Sequence, residues 1–299
     1  MFHIKNWRSF YMRKIGSIQV TKEILEANGF FMKKKFGQNF LIDQNILASI
    51  VSKAGITKEV NVIEIGPGIG SLTEHLIHNA NKVISYEIDD SLIPILSKEF
   101  ADCENFTLIN QDILKADIAS DIQKYFNDDR EVYVVANLPY YITTPIIMHL
   151  LENVPEVSRY AVMVQLEVAD RITANKGGKE YNNLSVAIQY RAKVYKALNV
   201  SRNVFMPKPN VDSAVVVFEL YKDVPIKAEN EKFFFALVRN AFLNRRKTLV
   251  NNLNVSYHIE KEKLSAMLEK LGINPQIRSE ALSVSDFVMI AKEVESILS

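Results

Sequence analysis

The tetrapeptide Asn137-Leu138-Pro139-Tyr140, at the end of the run VYVVAN, has residue types that could hold the amino group of a nucleobase. Such an amine is a poor nucleophile because its lone pair is delocalised into the ring. Acceptors can turn the lone pair towards an electrophile, and the Asn137 side-chain oxygen and the Leu138 carbonyl could accept the two N–H groups. Pro139 would fix the turn, and Tyr140 would stack on the base. Taken alone, the tetrapeptide is also compatible with a proline turn and an asparagine cap.

A reaction at this amine needs an electrophile, for which a sulfonium methyl group is the expected choice. The work of the site would then be chiefly positioning and charge placement. No strong general base is required, because the proton becomes acidic once the nitrogen is alkylated.

The stretch VIEIGPGIGSLTEHL has the pattern of a strand, a glycine turn and a helix. Gly66, Gly68 and Gly70 would let the backbone approach a ligand, and Pro67 would stiffen the turn. The amides at the start of the following helix favour a negative or carbonyl-type group. The G-x-G-x-G spacing differs from the G-x-G-x-x-G dinucleotide fingerprint, so a purely structural turn is the alternative.

Acidic residues follow the next two strands. Glu87 ends the second strand, where a carboxylate can accept both hydrogen bonds from a ribose diol, although a solvated acid is an equally simple interpretation. Asp112 follows the third strand and could accept from the amino group of adenine. Ile88 and Ile113 could enclose the ring. Three successive strand ends with an adenosine contact together predict a nucleoside cofactor.

The strands that must position these residues are seven β-rich runs, separated mostly by helical stretches. This alternation predicts an α/β fold with a mostly parallel sheet covered on both faces. The last two runs are joined by SRNVFMPKPNVDS, which is too short for a crossover helix, so the last strand is expected to be antiparallel. The runs are 60–65, 82–87, 106–109, 132–137, 160–165, 194–200 and 214–221.

Helix signals lie on both sides of these strands. Asp43 and Asp90 are predicted to cap helices, and Gly55 to end the first of them. Beyond residue 223 the pattern contains only helical stretches, at 231–252, 260–271 and 283–297. The change predicts a small helical domain at the C-terminus.

The composition excludes some classes of protein. Of the 299 residues, 48% are hydrophobic, which is enough for a full core, yet no apolar run is long enough to suggest a membrane span. The first residues do not resemble a signal peptide. Cys103 is the only cysteine, which excludes an internal disulfide and a cysteine-cluster metal site, so we expect a cytoplasmic protein. The net charge of +1 gives no indication of partners.

Together, EIGPGIG, YEID, NQDIL and NLPYYITTP resemble motifs of S-adenosylmethionine-dependent adenine methyltransferases. Three further segments narrow the resemblance to the bacterial small-subunit ribosomal RNA adenine dimethyltransferases: FGQNFLID, FMPKPNVDSAVV and NAFLNRRKTLVNNL. The resemblance extends from about Lys33 to the C-terminus. It departs from the family at Leu166, where a lysine is expected.

This resemblance implies a Rossmann-like methyltransferase sheet of seven strands, the last antiparallel, with a small all-helical C-terminal domain. It implies domains at 1–32 (an N-terminal extension and helix), 33–222 (catalytic) and 223–299 (helical). S-adenosylmethionine would be the cofactor. The substrate would be two adjacent adenosines in a 3′-terminal hairpin loop of 16S rRNA, within the assembling small subunit. We expect a monomer. The cofactor contacts implied by the family match Asn39, Leu41, Gly66, Glu87, Asp112 and Asn137, and the tetrapeptide 137–140 would hold the target adenine.

Two basic clusters are candidates for contacts with RNA phosphates: Lys33-Lys34-Lys35, and Arg239 with Arg245, Arg246 and Lys247. Solvated helix ends are the alternative. His75 and His78 are three residues apart on a predicted helix. We expect one to be packed and the other exposed, and we expect no metal site, because no third ligand lies nearby.

Other functions remain open at this point. The glycine turn and Glu87 alone would permit a nicotinamide-dependent oxidoreductase, but the tetrapeptide supplies no residue for proton transfer. A non-catalytic RNA-binding factor that monitors ribosome assembly is a second alternative. A large-subunit rRNA methyltransferase of the antibiotic-resistance type shares the catalytic motifs. We rank it below the small-subunit enzyme because of the segments FMPKPNVDSAVV and RRKTL.

Overall fold

The computed structural model describes residues 13–29, 38–139 and 141–299. These residues form two compact units. The first consists of the described residues up to Gln165 together with Ala197–Val217, and the second of Leu166–Lys196 together with Phe218–Ser299. The domain boundaries implied by the resemblance stay a prediction. In the described part of the chain, no helix is both long and apolar enough to cross a membrane.

The predicted seven-stranded sheet is confirmed, and each of the seven β-rich runs forms one of its strands. The sheet is mixed, with one antiparallel strand. The strands are β2 (Val60–Ile65), β3 (Val83–Glu87), β4 (Phe106–Asn110), β5 (Glu131–Asn137), β6 (Val157–Gln165), β7 (Ala192–Val200) and β9 (Ser213–Leu220). Their order across the sheet is β4-β3-β2-β5-β6-β9-β7. Two short strands, β1 (Phe40–Leu41) and β8 (Phe205–Met206), form a separate antiparallel pair.

The centre of the main sheet is parallel and buried. All six residues of β2 are buried, as expected for a strand covered on both faces. β2 pairs in parallel with β3 on one side and with β5 on the other, so that Ile65 lies opposite both Tyr86 and Ala136. The carboxyl ends of these strands therefore meet at one edge of the sheet, where the polar residues of the motifs begin.

The helices of the first unit cover the sheet: α1 (Ile18–Ala27), α2 (Gln44–Ala54), α3 (Ser71–Asn79), α4 (Ile93–Glu99), α5 (Ile118–Tyr125) and α6 (Thr143–Asn153). Asp43 caps α2 through the backbone N–H groups of Asn45 and Ile46, as predicted. The predicted cap at Asp90 is wrong. Leu92 occupies the cap position of α4, because the carboxylate of Asp89 binds Ser91 in a turn and Pro94 lies at the start of the helix.

The second unit contains α7 (Leu166–Thr173), α8 (Asn183–Arg191), α9 (Glu231–Ala241), α10 (Leu249–Tyr257), α11 (Lys261–Lys270) and α12 (Val284–Leu298). Its C-terminal part is helical, as predicted, but the single helix predicted over 231–252 is wrong. The chain leaves the helix after Ala241 and re-enters one at Leu249, with Thr248 as the cap. The side chain of Asn252 donates to the carbonyl groups of Ala241 and Asn244 and so satisfies the end of α9.

Candidate active site

An open pocket at the carboxyl edge of the sheet brings the predicted cofactor residues together. All the residues that line this pocket belong to the first unit. Every residue predicted to contact the cofactor lines it: Asn39, Leu41, Gly66, Gly68, Glu87, Ile88, Asp112, Ile113 and Asn137. Leu138 and Pro139 line it too, whereas Tyr140 lies outside the described residues.

The glycine turn faces the end of β5 closely. Gly66 has a φ angle of +71°, and a Cβ atom built there would lie 3.9 Å from the backbone oxygen of Asn137. A Cβ atom on Gly68 would lie 3.2 Å from the ring of Phe40, so this position has little room for a side chain. The turn and the end of β5 therefore border the same space, and side chains on the turn would fill it.

Glu87 lies at the end of β3 and holds the glycine turn. One carboxylate oxygen accepts from the backbone N–H of Gly68 at 3.2 Å, and the other from that of Asp89 at 2.8 Å. The side chain is only 5% exposed. Burial raises the pKa of Glu87 to about 7, and the hydrogen bonds from Asp89 and Gly68 oppose that rise. The carboxyl group is thus poised to change charge near neutral pH.

A second buried carboxyl group, Glu64 of β2, also lines the pocket. Its Oε2 accepts from the hydroxyl of Thr73 at 2.7 Å and from that of Ser85 at 2.6 Å. Burial raises its pKa to about 7 despite these two bonds, and the charge of Glu87 adds to the rise. The sequence interpretation missed Glu64, although an acid within the apolar strand VNVIEI is an unusual residue for a buried position.

Asp112 begins a short 3₁₀ turn after β4. Its Oδ1 accepts from the backbone N–H of Leu114 at 3.1 Å, and its other oxygen has no protein partner among the described residues. The two isoleucines predicted to enclose the adenine ring differ in exposure, because Ile113 is buried whereas Ile88 is 51% exposed. About half of the Ile88 surface is therefore open to solvent, and this residue offers apolar surface at the pocket.

The chain turns sharply between Asn137 and α6. Asn137, the last residue of β5, pairs with Met163 of β6, and Leu138 is buried. The carbonyl of Pro139 accepts from the backbone N–H of Ile142 at 3.2 Å and from the hydroxyl of Thr143 at 3.0 Å. These bonds fix the turn that presents Asn137 and the Leu138 carbonyl.

A sequence profile of the family described as "Ribosomal RNA adenine dimethylase" matches residues 29–296. This chain belongs to that family. The "Ribosomal RNA small subunit methyltransferase A" of Streptococcus thermophilus is 50% identical over 281 residues, which cover 93% of this chain and 97% of the relative. The protein of the same name from Lactococcus lactis is 49% identical over 279 residues, covering 93% and 95%. A dimethyladenosine transferase structure from Plasmodium falciparum aligns with a TM-score of 0.73 and 28% identity, covering 86% of this chain and 97% of that one.

Membership of the dimethylase family confirms the predicted enzyme class, a ribosomal RNA adenine methyltransferase, and does not favour an oxidoreductase. The residue roles inferred above stay predictions.

Two further residues of this dimethylase pocket were missed by the sequence interpretation. Tyr141 lines the pocket with 64% of its surface exposed, against 37% or less for any other exposed aromatic residue among the described ones. Ser71, the first residue of α3, also lines it, but is almost fully buried. Neither the exposure of Tyr141 nor the burial of Ser71 can be predicted from the sequence, because both depend on how α3 and the turn before α6 pack.

The predicted basic residues of the dimethylase lie in different parts of the chain. Arg239 is in the last turn of α9, and Arg245, Arg246 and Lys247 are exposed in the loop between α9 and α10 of the second unit. Arg245 donates to the carbonyl of Lys179 at 2.6 Å, which ties this loop to the one before α8. Lys33, Lys34 and Lys35 lie outside the described residues. Leu166, where a lysine was expected, is the first residue of α7.

The two histidines of α3 have different surroundings, as predicted. His75 is buried, with Nε2 3.0 Å from Oε1 of Gln44, and His78 is exposed. Within the described ranges, no group of three or more His, Cys, Asp or Glu side chains is arranged to hold a metal ion.

Proposed function

We propose that this enzyme transfers methyl groups from S-adenosylmethionine to the N6 amines of two adjacent adenosines in a hairpin loop near the 3′ end of 16S rRNA. The enzyme would act on the assembling small ribosomal subunit in the cytoplasm. It would be a monomer. The names of the streptococcal and lactococcal relatives support the choice of small-subunit RNA. The observation that carries the proposal is that the glycine turn, Glu87 and Asn137 border one pocket.

The residues of this pocket fit S-adenosylmethionine. Gly66 and Gly68 leave a cradle that a Cβ atom would narrow, and Glu87 keeps acceptor capacity for a ribose diol beside its two backbone bonds. The second oxygen of Asp112, which no other described residue binds, could accept from the adenine amino group. Asn39 and Leu41, which lie at the short strand pair, would complete the set. When bound, this cofactor supplies an electrophilic methyl group on a sulfonium centre.

The end of β5 would prepare the target amine. The side-chain oxygen of Asn137 and the carbonyl of Leu138 accept the two N–H groups, so the nitrogen lone pair is turned out of the ring plane towards the methyl donor. The turn at Pro139 is already fixed by two hydrogen bonds to its carbonyl, so little order has to be gained on binding. Tyr140 would stack on the base, which must leave its own helix or loop to enter the pocket.

Substitution of Asn137 tests this proposal. We expect Asn137→Ala to lower methyl transfer to undermethylated small subunits by at least about 100-fold, as when one transition-state hydrogen bond is removed elsewhere. Binding to the subunit should persist. The measurement is incorporation of label from S-adenosylmethionine, followed by mapping of the modified bases.

Asn153→Ala is the matched control, because Asn153 ends α6 on the surface and bonds only within that helix among the described residues. It should keep the wild-type rate. Transfer by Asn137→Ala at a rate near that of the wild type would refute the mechanism, and label in other bases would refute the substrate.

A further inference from the structure

The segment of residues 13–17, which we call the strap, is held to the first unit by a buried carboxylate. Glu74 of α3 is 7% exposed, and its two oxygens accept from the backbone N–H groups of Lys14 at 3.1 Å and of Ile15 at 3.0 Å. Hydrogen bonds to an ionised acceptor are about twice as strong as those between neutral groups. Each oxygen binds one amide of the strap, so the carboxylate acts as a clamp.

Helix α1 holds the strap from the other side. The hydroxyl of Thr21, a fully buried residue of α1, donates to the carbonyl of Ile15 at 2.7 Å. Ser17 is the N-cap of the same helix. Ile24 and Leu25 of α1 belong to the hydrophobic core that also contains Ile15. The backbone N–H and carbonyl groups of Ile15 are therefore both paired with side chains distant in the sequence, one on α3 and one on α1.

The strap contacts two residues that line the pocket. A Cβ atom built on Gly16 would lie 2.1 Å from Cδ1 of Leu47 and 3.4 Å from the carbonyl oxygen of Leu41. The backbone of the strap therefore packs directly against both leucines, an approach that a glycine permits. Leu41 and Leu47 line the pocket, whereas Glu74 and the five residues of the strap, all of them described, do not. The strap can therefore influence a ligand through these two leucines without touching it.

We propose that Glu74 is a positioning residue for the methyl donor: it holds the strap, and the strap holds Leu41 and Leu47 in the arrangement that binds the cofactor. This inference rests on the proposed function. If the pocket binds better while the strap is docked, then by linkage an occupied pocket must hold the strap more tightly. Docking of the strap and binding of the cofactor therefore report the same coupling.

Two substitutions loosen the strap from opposite sides. Glu74→Ala removes the acceptor of both strap amides. Thr21→Val removes the donor to the strap carbonyl with nearly the same volume and no change in charge. We expect each variant to raise the Kd for S-adenosylhomocysteine, the cofactor without its transferable methyl group, by at least about fivefold, the lower end of the range for coupled sites. Calorimetry measures this Kd without any RNA.

Glu23→Ala is the matched control, because Glu23 is an exposed residue of α1 whose side chain accepts from Gln19 of the same helix. Its Kd for S-adenosylhomocysteine should stay within about twofold of the wild-type value, as for most surface substitutions.

The wild-type protein provides a second measurement, which does not depend on how well a variant folds. Saturation with S-adenosylhomocysteine should slow hydrogen exchange of the N–H groups of Lys14 and Ile15 by at least about fivefold relative to that of Phe126. The buried N–H of Phe126, at the end of α5, bonds to Ile122 and corrects for general stabilisation by the ligand. A strap with a merely structural role would show no such slowing.

Either of two results would overturn the inference: no relative slowing of exchange at Lys14 and Ile15, or a wild-type Kd in folded Glu74→Ala or Thr21→Val. A wild-type protein that did not bind S-adenosylhomocysteine at all would refute the proposed function itself.

Discussion

The ribose contact proposed for Glu87 predicts that nucleoside binding depends on pH in a range where an ordinary glutamate does not titrate. Burial raises the pKa of Glu87 to about 7. Two ligand hydroxyl groups donate best to an ionised carboxylate. Binding should therefore be strongest above pH 7 and should weaken as the pH falls and the carboxyl group of the free protein takes up a proton.

The magnitude follows from the ionised fraction. With a pKa of about 7, about nine-tenths of the Glu87 carboxyl groups are ionised at pH 8 and about one-tenth at pH 6. The Kd should rise about tenfold between these values if only the ionised form accepts both hydroxyl groups. A glutamate with its ordinary pKa would be ionised throughout, and its Kd would stay constant.

The assay is calorimetric titration with 5′-methylthioadenosine between pH 6 and pH 8. This ligand has the adenosine and the sulfur of S-adenosylmethionine without its amino-acid group, and it has no group that titrates in this range. Glu87→Gln should weaken binding at pH 8 and remove the pH dependence. Glu64→Gln is the control. It removes the other carboxyl group with a pKa of about 7 but can still accept from Thr73 and Ser85, so the pH dependence should persist. A Kd of the wild type that is constant from pH 6 to pH 8 would contradict the proposed role of Glu87.

Three further substitutions test other parts of the structure. Gly70→Ala should lower the free energy of unfolding in urea by about 2–5 kcal/mol, because its Cβ would lie 2.5 Å from the ring of Phe100 at a φ of +92°. Gly29→Ala, with a φ of +56° and open space, should cost only about 1–2 kcal/mol, and equal losses would refute the steric argument. Tyr141→Ala should raise the KM for small subunits by about tenfold through loss of base stacking and leave the Kd for S-adenosylhomocysteine unchanged. Tyr141→Phe, which keeps the ring, should have the wild-type KM. A changed Kd for S-adenosylhomocysteine in Tyr141→Ala would refute an RNA role. Arg246→Ala should lower the salt dependence of RNA affinity by about one counterion, and an unchanged slope would exclude a phosphate contact.

The sheet could be predicted from the sequence because its strands are buried on both faces. Runs such as VNVIEI and VYVVAN are continuous and β-branched, and the polar residues that follow them mark the strand ends. Once strands of one direction are recognised, their carboxyl ends must meet, which is why residues as distant as Gly66, Asp112 and Asn137 could be expected around one pocket.

Features that depend on contacts distant in the sequence could not be predicted. The break between α9 and α10 is stabilised by Asn252, whose side chain bonds two carbonyl groups eight and eleven residues earlier. Asp90 has the residue type of a helix cap, but its neighbour Asp89 forms the competing turn with Ser91. The burial of Ser71 beside the pocket depends on how α3 packs, and a serine after a glycine turn carries no sign of burial in the sequence.

The position of β9 between β6 and β7 has a consequence for synthesis on the ribosome. About 50 residues separate the end of β6 from the start of β9, including two helices and the whole of β7. At about 5–20 residues per second, the outer edge of β6 stays without its partner for roughly 3–10 s. Unpaired strand edges are templates for aggregation. The edge of β6 in the nascent chain is therefore paired only after β9 has been synthesised. Slow translation through residues 166–213 should prolong the exposure of this edge and increase the need for chaperones.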